Sequence, residues 1–384
     1  MSKKVQLGII GLGNMGSLHC RSLKDFDNIT LAAICDIEPE RLAKMKGRYP
    51  VPGFTNAKAL IDSGICDAVL IATPHYDHTT IGITALRKGL HVMVEKPLSV
   101  HKADAIKLIA AHKDENQVFA AMFNQRTNPA YQAIRELLHS GKLGDLRRVQ
   151  WTITDWFRSQ AYYNSGGWRA TWGGEGGGVL LNQCPHQLDL MQWLFGVPTA
   201  VRAFCQFGKH HDIEVEDNVT AFLEYENGAT GVFTTTTGEA PGTNRLEIAT
   251  DNSLLIYDTQ DEFFTITWND KSVTDAINEN PGFQKPGTRK EQIAISGQGG
   301  QHIEVLQNFA AAILKGEPLI APAAEGLQSV ELCNAMLLST WQNKTVTLPI
   351  SARSYATRLK KLVDNSRFAK TVEAHVVEDM SSSF

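Results

Sequence analysis

The chain has 384 residues, of which 43% are hydrophobic and 20% are charged, so its length and composition allow full hydrophobic cores in two or three domains. Its formal net charge is −4 and no long run of one sign occurs, which argues against a nucleic-acid partner. No apolar run approaches the length of a membrane span, so no membrane partner is expected. The six cysteines form no close pair, which argues against disulfides and predicts a reducing, cytoplasmic location.

Residues 1–125 alternate between short apolar runs and amphipathic stretches. The apolar runs barely alternate with polar residues, as is typical of strands buried on both faces of a parallel sheet; they are VQLGII, TLAAICD, AVLIA, LHVMVE and QVFAAM. The first run ends in glycines rather than at a small-residue cleavage site, so we interpret it as a strand and not as a signal peptide. The repetition predicts a doubly wound α/β domain with a parallel sheet.

The pattern changes near residue 125. Longer alternating strands follow, including DNVTAFLEYENGATGVFTTTT with a hairpin turn at Asn227-Gly228, and they predict a large, mostly antiparallel sheet. Residues 277–300 are polar and rich in glycine and proline, which predicts a long loop that is functional, mobile or reaches a neighbour. The tail after Arg353 predicts one more helix and then a frayed end, EDMSSSF. We therefore expect residues 126–384 to form an α+β domain for substrate binding and self-association into a homodimer or homotetramer.

The stretch GIIGLGNMGSLH places three glycines between the first strand and the first helix. Gly11 allows the tight turn, Gly13 lets the backbone approach a pyrophosphate, and Gly16 lets helix and strand pack closely. Asp36 ends the second strand, twenty residues beyond Gly16, where an acid accepts hydrogen bonds from a ribose hydroxyl. Asp36 would repel a 2′-phosphate and Ile37 offers no cation, so the pattern predicts NAD(H) rather than NADP(H).

Two further strand ends carry polar residues, in IATPHYDH and VMVEKPLS, and ligands of open α/β sheets bind beyond the carboxyl ends of the strands. We interpret His75 and His78 as packing on the cofactor or on solvent, because no third histidine or carboxylate at ligand spacing supports a metal site. Lys96 lies at a buried strand end before Pro97, so we select it as a candidate functional residue. The alternative is a salt bridge between Lys96 and Glu95 or another acid. The predicted cofactor-binding residues are Gly11, Gly13, Asn14, Met15, Gly16, Asp36, Thr73, Pro74, His75, His78, Glu95 and Lys96.

The combination of GLGNMG, EKP and GGGVLLNQCPHQLD resembles the glucose–fructose oxidoreductase / inositol dehydrogenase family, Gfo/Idh/MocA, over nearly the whole chain. The resemblance implies that Lys96 and His186 act together beside a nicotinamide, and that the Lys96–Pro97 bond is cis. The acid of the family falls on Asn182 in this chain, and an amide can bond a hydroxyl but cannot take up a proton. Asp189 matches a position that tends to be structural in the family.

Pro185 is tolerated only near a helix start, so we expect a helix to begin around Asn182. Asn182 and His186 would then lie four residues apart on one helix face, aimed at a cleft. The alternative is a capping asparagine and a core histidine with satisfied hydrogen bonds. We expect His186 to accept the proton of a substrate hydroxyl and Lys96 to donate a hydrogen bond to the same oxygen.

Aromatic residues and arginines crowd the segment WFRSQAYYNSGGWRATWGGEGGG, which suits a polyhydroxylated ring. The predicted substrate-binding residues are Asn182, Arg169, Tyr162, Trp172, His302 and Arg126. The alternative for the aromatic residues is a patch that closes a subunit contact, and for Arg126 it is an interdomain hydrogen bond.

The sequence thus predicts an NAD(H)-dependent oxidoreductase that acts on a CH–OH group of a small sugar or cyclitol, with an inositol-like or aldose substrate first. One alternative is a glycoside-cleaving enzyme that uses transient oxidation by bound NAD. A second is oxidation of a nucleotide-linked sugar. A non-catalytic nucleotide sensor on the same fold is disfavoured, because the chain keeps both Lys96 and His186.

Overall fold

A computed structural model describes residues 4–372, apart from the side chain of Asp25. The described chain forms two sheets, one with six strands and one with nine. The predicted frayed end, residues 378–384, lies outside the described residues.

The six-stranded sheet is parallel and is built from the first 121 residues. Its strands are β1 (Val5–Ile10), β2 (Ile29–Cys35), β3 (Gly53–Phe54), β4 (Ala68–Ile71), β5 (His91–Val94) and β6 (Phe119–Ala121). They pair in the order β3-β2-β1-β4-β5-β6, the doubly wound arrangement that opens a ligand crevice where the strand order reverses. The five predicted strands are confirmed; the two-residue β3 was missed because it is too short to show a pattern.

Helices cover both faces of this sheet, as its strands without alternation predict. They are α1 (Asn14–Ser22), α2 (Pro39–Arg48), α3 (Ala57–Asp62), α4 (His75–Arg87) and α5 (Lys102–Ala111). Leu7 and Ile9 belong to the core on one face, whereas Ile10, Val69 and Ile71 belong to the core on the other. The crevice therefore sits on a rigid, fully buried base.

The nine-stranded sheet follows. Its strands are β7 (Leu146–Ile153), β8 (Ala200–Phe207), β9 (Glu216–Glu224), β10 (Thr230–Thr236), β11 (Asn244–Thr250), β12 (Ser253–Asp258), β13 (Phe263–Asn269), β14 (Thr288–Ala294) and β15 (Val346–Thr347). The order is β14-β13-β12-β11-β7-β10-β9-β8-β15, in which β7 and β10 are parallel and the other neighbours antiparallel. The predicted hairpin is confirmed: Gly228 lies between β9 and β10 with a φ of +83°.

Seven more helices accompany the second half of the described chain. They are α6 (Pro129–His139), α7 (Gln160–Asn164), α8 (Pro185–Phe195), α9 (Val273–Glu279), α10 (Gln301–Lys315), α11 (Gly326–Gln342) and α12 (Ala352–Asn365). One face of the nine-stranded sheet packs against buried residues of α6, α8 and α11. The opposite face leaves Phe204 and Phe222 exposed. None of the helices described here is long and apolar enough to cross a membrane.

The expectation of a long loop over residues 277–300 is wrong in part. The segment includes the end of α9 and all of β14, which pairs along its whole length with β13. Because β14 is an edge strand whose side chains are exposed or only half-buried, its sequence TRKEQIA lacks the apolar alternation of a half-buried strand.

The late helix α10 packs against the first sheet rather than the second. Its Val305, Leu306 and Phe309 share a core with Leu7 and Ile9 of β1. The chain thus returns to the six-stranded sheet after completing most of the other one. The division into residues 1–125 and 126–384 stays a prediction, and it does not describe which residues share a core.

Candidate active site

The glycine-rich turn after β1 has the shape that a bound dinucleotide requires. A Cβ at Gly11 would lie 2.6 Å from the Ala72 carbonyl oxygen, and a Cβ at Gly16 only 1.8 Å from that of Gly11. Gly13 faces open space and precedes α1 with no side chain capping the helix. The free N–H groups of α1 are therefore accessible to phosphates, and the turn fits the pyrophosphate of NAD. Asn14 and Met15 begin this helix, and their contacts with the cofactor stay predictions.

Asp36, the predicted partner of the ribose, has a protein partner that the sequence reasoning missed. Its Oδ2 accepts from the Leu12 N–H at 2.7 Å, and its Oδ1 accepts from the Glu38 N–H at 2.9 Å. Arg41 on α2 donates from Nη1 to Oδ1 at 3.0 Å and is half exposed. The expectation that no cation stands near Asp36 is therefore wrong, because one helical turn brings Arg41 back to it.

The residues after β4 connect the crevice to the second half of the chain. Thr73 has a buried hydroxyl without a hydrogen-bond partner among the described residues, and it is available to a bound cofactor. His75 Nδ1 lies 3.2 Å from the Glu175 carbonyl oxygen. His78 lies 2.8 Å from the Pro97 carbonyl oxygen and 2.9 Å from that of Thr73. Both ring nitrogens of His78 thus lie against backbone carbonyl oxygens, and its contact with a cofactor stays a prediction. Pro74 precedes α4.

Glu95 is held by a histidine that the sequence reasoning did not select. His19 on α1 donates from Nε2 to Glu95 Oε1 at 2.7 Å, and both side chains are buried. Burial by itself would raise the pKa of Glu95, but the hydrogen bond and charge of His19, with His302 and Lys96, lower it to about 2. His19 lies three residues after Gly16, on the same face of α1, and this spacing was the signal that could have revealed it.

Lys96 points toward the second half of the chain. Its Nζ donates to the backbone carbonyl of Asn182 at 2.8 Å. The hydrogen bond between Lys96 and Glu95 comes from the backbone N–H of Lys96, at 3.1 Å, and not from its side chain. Among the described residues, the side chains of Glu95 and Lys96 therefore form no direct salt bridge. Burial lowers the pKa of Lys96, and the charges of Glu95 and Glu175 oppose that shift. The Lys96–Pro97 bond is cis, as the resemblance implies.

The helix that carries His186 begins later than expected. Pro185 is its first residue, and Asn182 lies in the preceding turn, where its N–H donates to the Gly178 carbonyl oxygen at 2.9 Å. The predicted helix start around Asn182 is wrong. The backbone carbonyls of Gly178 and Val179 accept the hydrogen bonds of a separate turn that precedes α8. The charge of Lys96 nevertheless acts on His186 and lowers its pKa.

His186 has the state that a proton acceptor needs. It is buried, and its Nδ1 has no hydrogen-bond partner in the described part of the chain. Burial, and then the charges of Lys96 and His302, hold the pKa of His186 well below 6.5. The imidazole is therefore neutral at physiological pH, and one buried nitrogen is free to accept a proton.

The predicted substrate residues divide into those that line this region and those that do not. Arg169 donates from Nη1 to the Tyr162 hydroxyl at 2.9 Å and stacks between the rings of Tyr162 and Trp168. His302 lies in the first turn of α10, 5.8 Å from the ring of His19, and burial lowers its pKa to about 4. The predictions of substrate contact for Arg169, Tyr162, Asn182 and His302 remain compatible with these positions.

Two predicted substrate contacts are contradicted. Trp172 is buried against Phe207 and Trp341 in the core of the second sheet, so its ring has no open face for a sugar. Arg126 is also buried, and its Nε and Nη2 donate to both oxygens of Asp189 at 2.7 and 2.6 Å. Its Nη1 pairs with the carboxylate of Glu325, so the guanidinium is already bound to two acids of the protein.

No metal centre is visible in this region. Within residues 4–372, no group of three or more His, Cys, Asp or Glu side chains could hold a metal ion.

Comparison with known proteins gives the relationship of the chain. Models of one family match it twice: the oxidoreductase family with an NAD-binding Rossmann fold over residues 5–123, and the GFO/IDH/MocA C-terminal domain over residues 131–255. The myo-inositol 2-dehydrogenase of Thermotoga maritima is 24% identical over 352 aligned positions, covering 90% of this chain and 98% of that protein. The levoglucosan dehydrogenase of Pseudarthrobacter phenanthrenivorans is 25% identical over 393 positions, covering 90% and 99%.

Solved structures share the fold. The WlbA dehydrogenase from Chromobacterium violaceum, in complex with NADH and UDP-GlcNAcA, matches with a TM-score of 0.79 and 25% identity over 91% of this chain and 98% of that one. A levoglucosan dehydrogenase with NADH and L-sorbose matches in fold, with a TM-score of 0.76 and 21% identity over 91% and 100%. Because the two family models together span more than half of the sequence, the chain belongs to the Gfo/Idh/MocA family of NAD-binding oxidoreductases.

Proposed function

We propose that this enzyme catalyses hydride transfer at a CH–OH group of a small sugar or cyclitol. Inositol-like compounds and aldoses are the leading substrate candidates. The observation that carries the proposal is the hydrogen bond from the Lys96 Nζ to the Asn182 carbonyl oxygen, in the turn just before the helix that carries the neutral His186. The glycine turn and Asp36 would hold NAD at the same crevice, and NAD supplies the hydride acceptor when bound. Inositol and levoglucosan dehydrogenases are among the relatives of the chain.

The two side chains have complementary roles toward the substrate oxygen. In the direction of oxidation, His186 accepts the hydroxyl proton, since its ring is neutral and its Nδ1 has no partner among the described residues. Lys96 donates a hydrogen bond to the same oxygen and stabilises the negative charge that develops there. Arg169 and Tyr162, which are joined by a hydrogen bond, are placed to contact the remaining hydroxyls.

A second candidate is a nucleotide-linked or acidic sugar. Positive charges of Arg158 and Arg169 act on Lys96, and Lys370 donates to the Arg169 carbonyl oxygen, so three cations lie around this region. The WlbA dehydrogenase was solved with UDP-GlcNAcA, which is an acidic ligand of that kind. NAD-dependent glycoside cleavage is the remaining alternative, and hydrolysis without net NADH formation would distinguish it.

The test is a substrate panel with matched variants. Inositols, aldoses, levoglucosan and UDP-GlcNAcA are each incubated with the enzyme and NAD, and NADH absorbance is followed. K96M and H186N are each expected to lower kcat by roughly two to four orders of magnitude with unchanged NADH affinity. The controls are K113M and H139N, which alter exposed residues and leave kcat unchanged. A near-native kcat in K96M or H186N overturns the assignment of that residue, and failure to bind any pyridine nucleotide overturns the proposal.

We also propose that the protein self-associates as a homodimer or homotetramer and works in the cytoplasm. The open face of the nine-stranded sheet, with Phe204 and Phe222 exposed, supports association. The six cysteines are all buried and unpaired, which supports a reducing compartment. Light scattering coupled to size exclusion measures the assembly directly, and a monomer at micromolar concentration would contradict it.

A further inference from the structure

A buried acid with no assigned role lies beside the proposed site. Glu175 is 1% exposed, in the glycine-rich segment before α8. Its Oε1 accepts from the Asn182 Nδ2, and its Oε2 accepts from the Ala170 N–H. Both oxygens thus accept from N–H donors, as an ionised carboxylate does. Burial raises the pKa of Glu175, and the charge of Arg169 and these two hydrogen bonds oppose that shift. Burying an uncompensated charge is strongly unfavourable, so a purely structural role would be better served by a neutral residue.

The backbone around Glu175 is shaped to hold this carboxylate. Ala170, which donates to Oε2, has a φ of +52°, an uncommon conformation for a residue with a Cβ. Gly176 follows with a φ of +84°, and a Cβ there would lie 2.2 Å from Val100, so another residue would not fit. Strained or restricted backbone on both sides of a buried charge is typical of functional segments.

Asn182 connects this acid to Lys96. Its side-chain amide donates to Glu175, and its backbone carbonyl accepts from the Lys96 Nζ at 2.8 Å. The bond to Glu175 also fixes the rotation of the amide, so that Asn182 Oδ1 points away from the carboxylate. An asparagine by itself brings no negative charge to this position, but the carboxylate lies one hydrogen bond away.

Glu175 is one of two acids whose charge favours the ammonium form of Lys96, and Glu95 is the other. The other titratable or charged groups that face Lys96 are His75, Arg158, Arg169, Cys184, His186 and His302. Those that face Glu175, besides Lys96, are Tyr163, Arg169, Glu216 and Lys370. Glu95 is already paired with His19. Glu175 is therefore the acid whose negative charge is available to Lys96 on the side where the substrate would bind.

We propose that Glu175 is a positioning residue of this site, which orients the Asn182 amide and supplies the negative charge that keeps Lys96 an ammonium. This role rests on the proposed function, because it acts through the lysine that binds the substrate oxygen. It assigns to position 175 the acidic charge that position 182 lacks.

An exchange of the acid and the amide tests the proposal. E175Q removes the charge, and E175Q/N182D returns a carboxylate to the other end of the same hydrogen bond. With the substrate found by the panel, E175Q is expected to lower kcat roughly 10- to 100-fold, and the exchange to recover most of that loss. E331Q is the matched control, because Glu331 is another buried acid, paired with Lys102 away from this site. A purely structural Glu175 predicts that E175Q/N182D is no better than E175Q.

A second readout needs no substrate. The titration of Lys96 is followed in the native enzyme and in each variant by competitive labelling with acetic anhydride and mass spectrometry, with exposed Lys113 as the internal reference. Removal of a nearby negative charge lowers a lysine pKa, so E175Q is expected to shift the Lys96 titration down by about 0.5–1 pH unit. E175Q/N182D and E331Q are expected to titrate like the native enzyme.

The outcomes separate this proposal from the proposed function. If no compound of the panel is oxidised, the proposed function fails, while the labelling still decides the coupling of Glu175 to Lys96. An unchanged Lys96 titration in a folded E175Q overturns the positioning role even if the enzyme is active. Should E175Q not fold, the exchange variant decides alone: a native-like Lys96 titration supports the proposal, and a lowered one overturns it.

Discussion

The Lys96 ammonium donates a 2.8 Å hydrogen bond to the Asn182 carbonyl oxygen, across 86 positions of sequence. The bond joins the end of the central parallel sheet to the turn before α8. It ties the Lys96 cation to the turn that leads into α8, four residues before His186, and the charge of Lys96 lowers the pKa of that histidine. The reaction that we propose depends on this contact, because neither side chain alone can both take a proton and stabilise the oxygen that loses it.

The pH dependence of oxidation should follow His186. Its pKa lies well below 6.5 because the ring is buried and faces Lys96, so the base is already deprotonated at neutral pH. We expect kcat/KM to stay flat as the pH falls to 6.5 and to decline only below it, when the imidazole becomes protonated. A profile of kcat/KM between pH 5 and about 9 measures this. An acidic limb with its midpoint above 6.5 would show that another group is the base.

Cofactor preference should depend on the pair of Asp36 and Arg41. D36A removes the acceptor for a ribose hydroxyl and frees Arg41, so we expect weaker NADH binding and tighter NADPH binding. Each change in Kd is expected to be roughly tenfold. D36A/R41A should lose the gain for NADPH while keeping the loss for NADH. Fluorescence titration of both nucleotides gives the four affinities, and equal NADPH binding by the two variants would refute the role of Arg41.

The buried ion pair of Arg126 and Asp189 should be structural. D189N leaves the Arg126 guanidinium buried with half of its charge compensation removed, so we expect a loss of ~3–5 kcal/mol in the free energy of unfolding. D364N, which removes an exposed pair with Lys360, should leave the unfolding midpoint almost unchanged. Urea unfolding followed by circular dichroism compares the two. A substrate-binding Arg126 would instead show a raised KM with native stability.

Glu95 should contribute to stability in a pH-dependent way. Its pKa falls from 4.5 to about 2 on folding, so the stabilisation by its charge is fully present above pH 4.5 and is lost as the pH falls toward 2. The native enzyme should therefore exceed E95Q in unfolding free energy at neutral pH, and the difference should shrink below pH 4.5. Urea titrations at several pH values test the sign. A difference that grows on acidification would contradict the ionised state of Glu95.

The chemistry of the cofactor end could be predicted because it depends on local rules. Gly11 needs a positive φ, and Gly16 must approach the backbone of Gly11, so the glycines themselves report the geometry of the turn. Lys96 could be selected because it lies two residues after the end of β5, at a strand end that is otherwise buried, where a cation is out of place. The same reasoning failed for Arg41, because its pairing with Asp36 depends on where α2 begins.

The partners within the site could not be predicted in the same way. The sequence offers Glu95 several histidines and lysines, and only the packing of α1 against the sheet selects His19. Trp172 and Arg126 have residue types that suit a sugar, yet the fold buries both. Glu175 gave no periodic or motif signal, because its significance arises from Asn182 and Lys96 meeting it.

The sequence by itself determined the two sheets and the dinucleotide turn, because hydrophobic period, glycine and proline act through neighbours along the chain. The pairing of Lys96 with His186 is implied by the family resemblance and stays a prediction. The tertiary structure decided which acid faces which base, where α8 begins and which arginine is available to a substrate. Those outcomes depend on contacts between residues far apart in sequence, whose burial sets both their hydrogen bonds and their charge states.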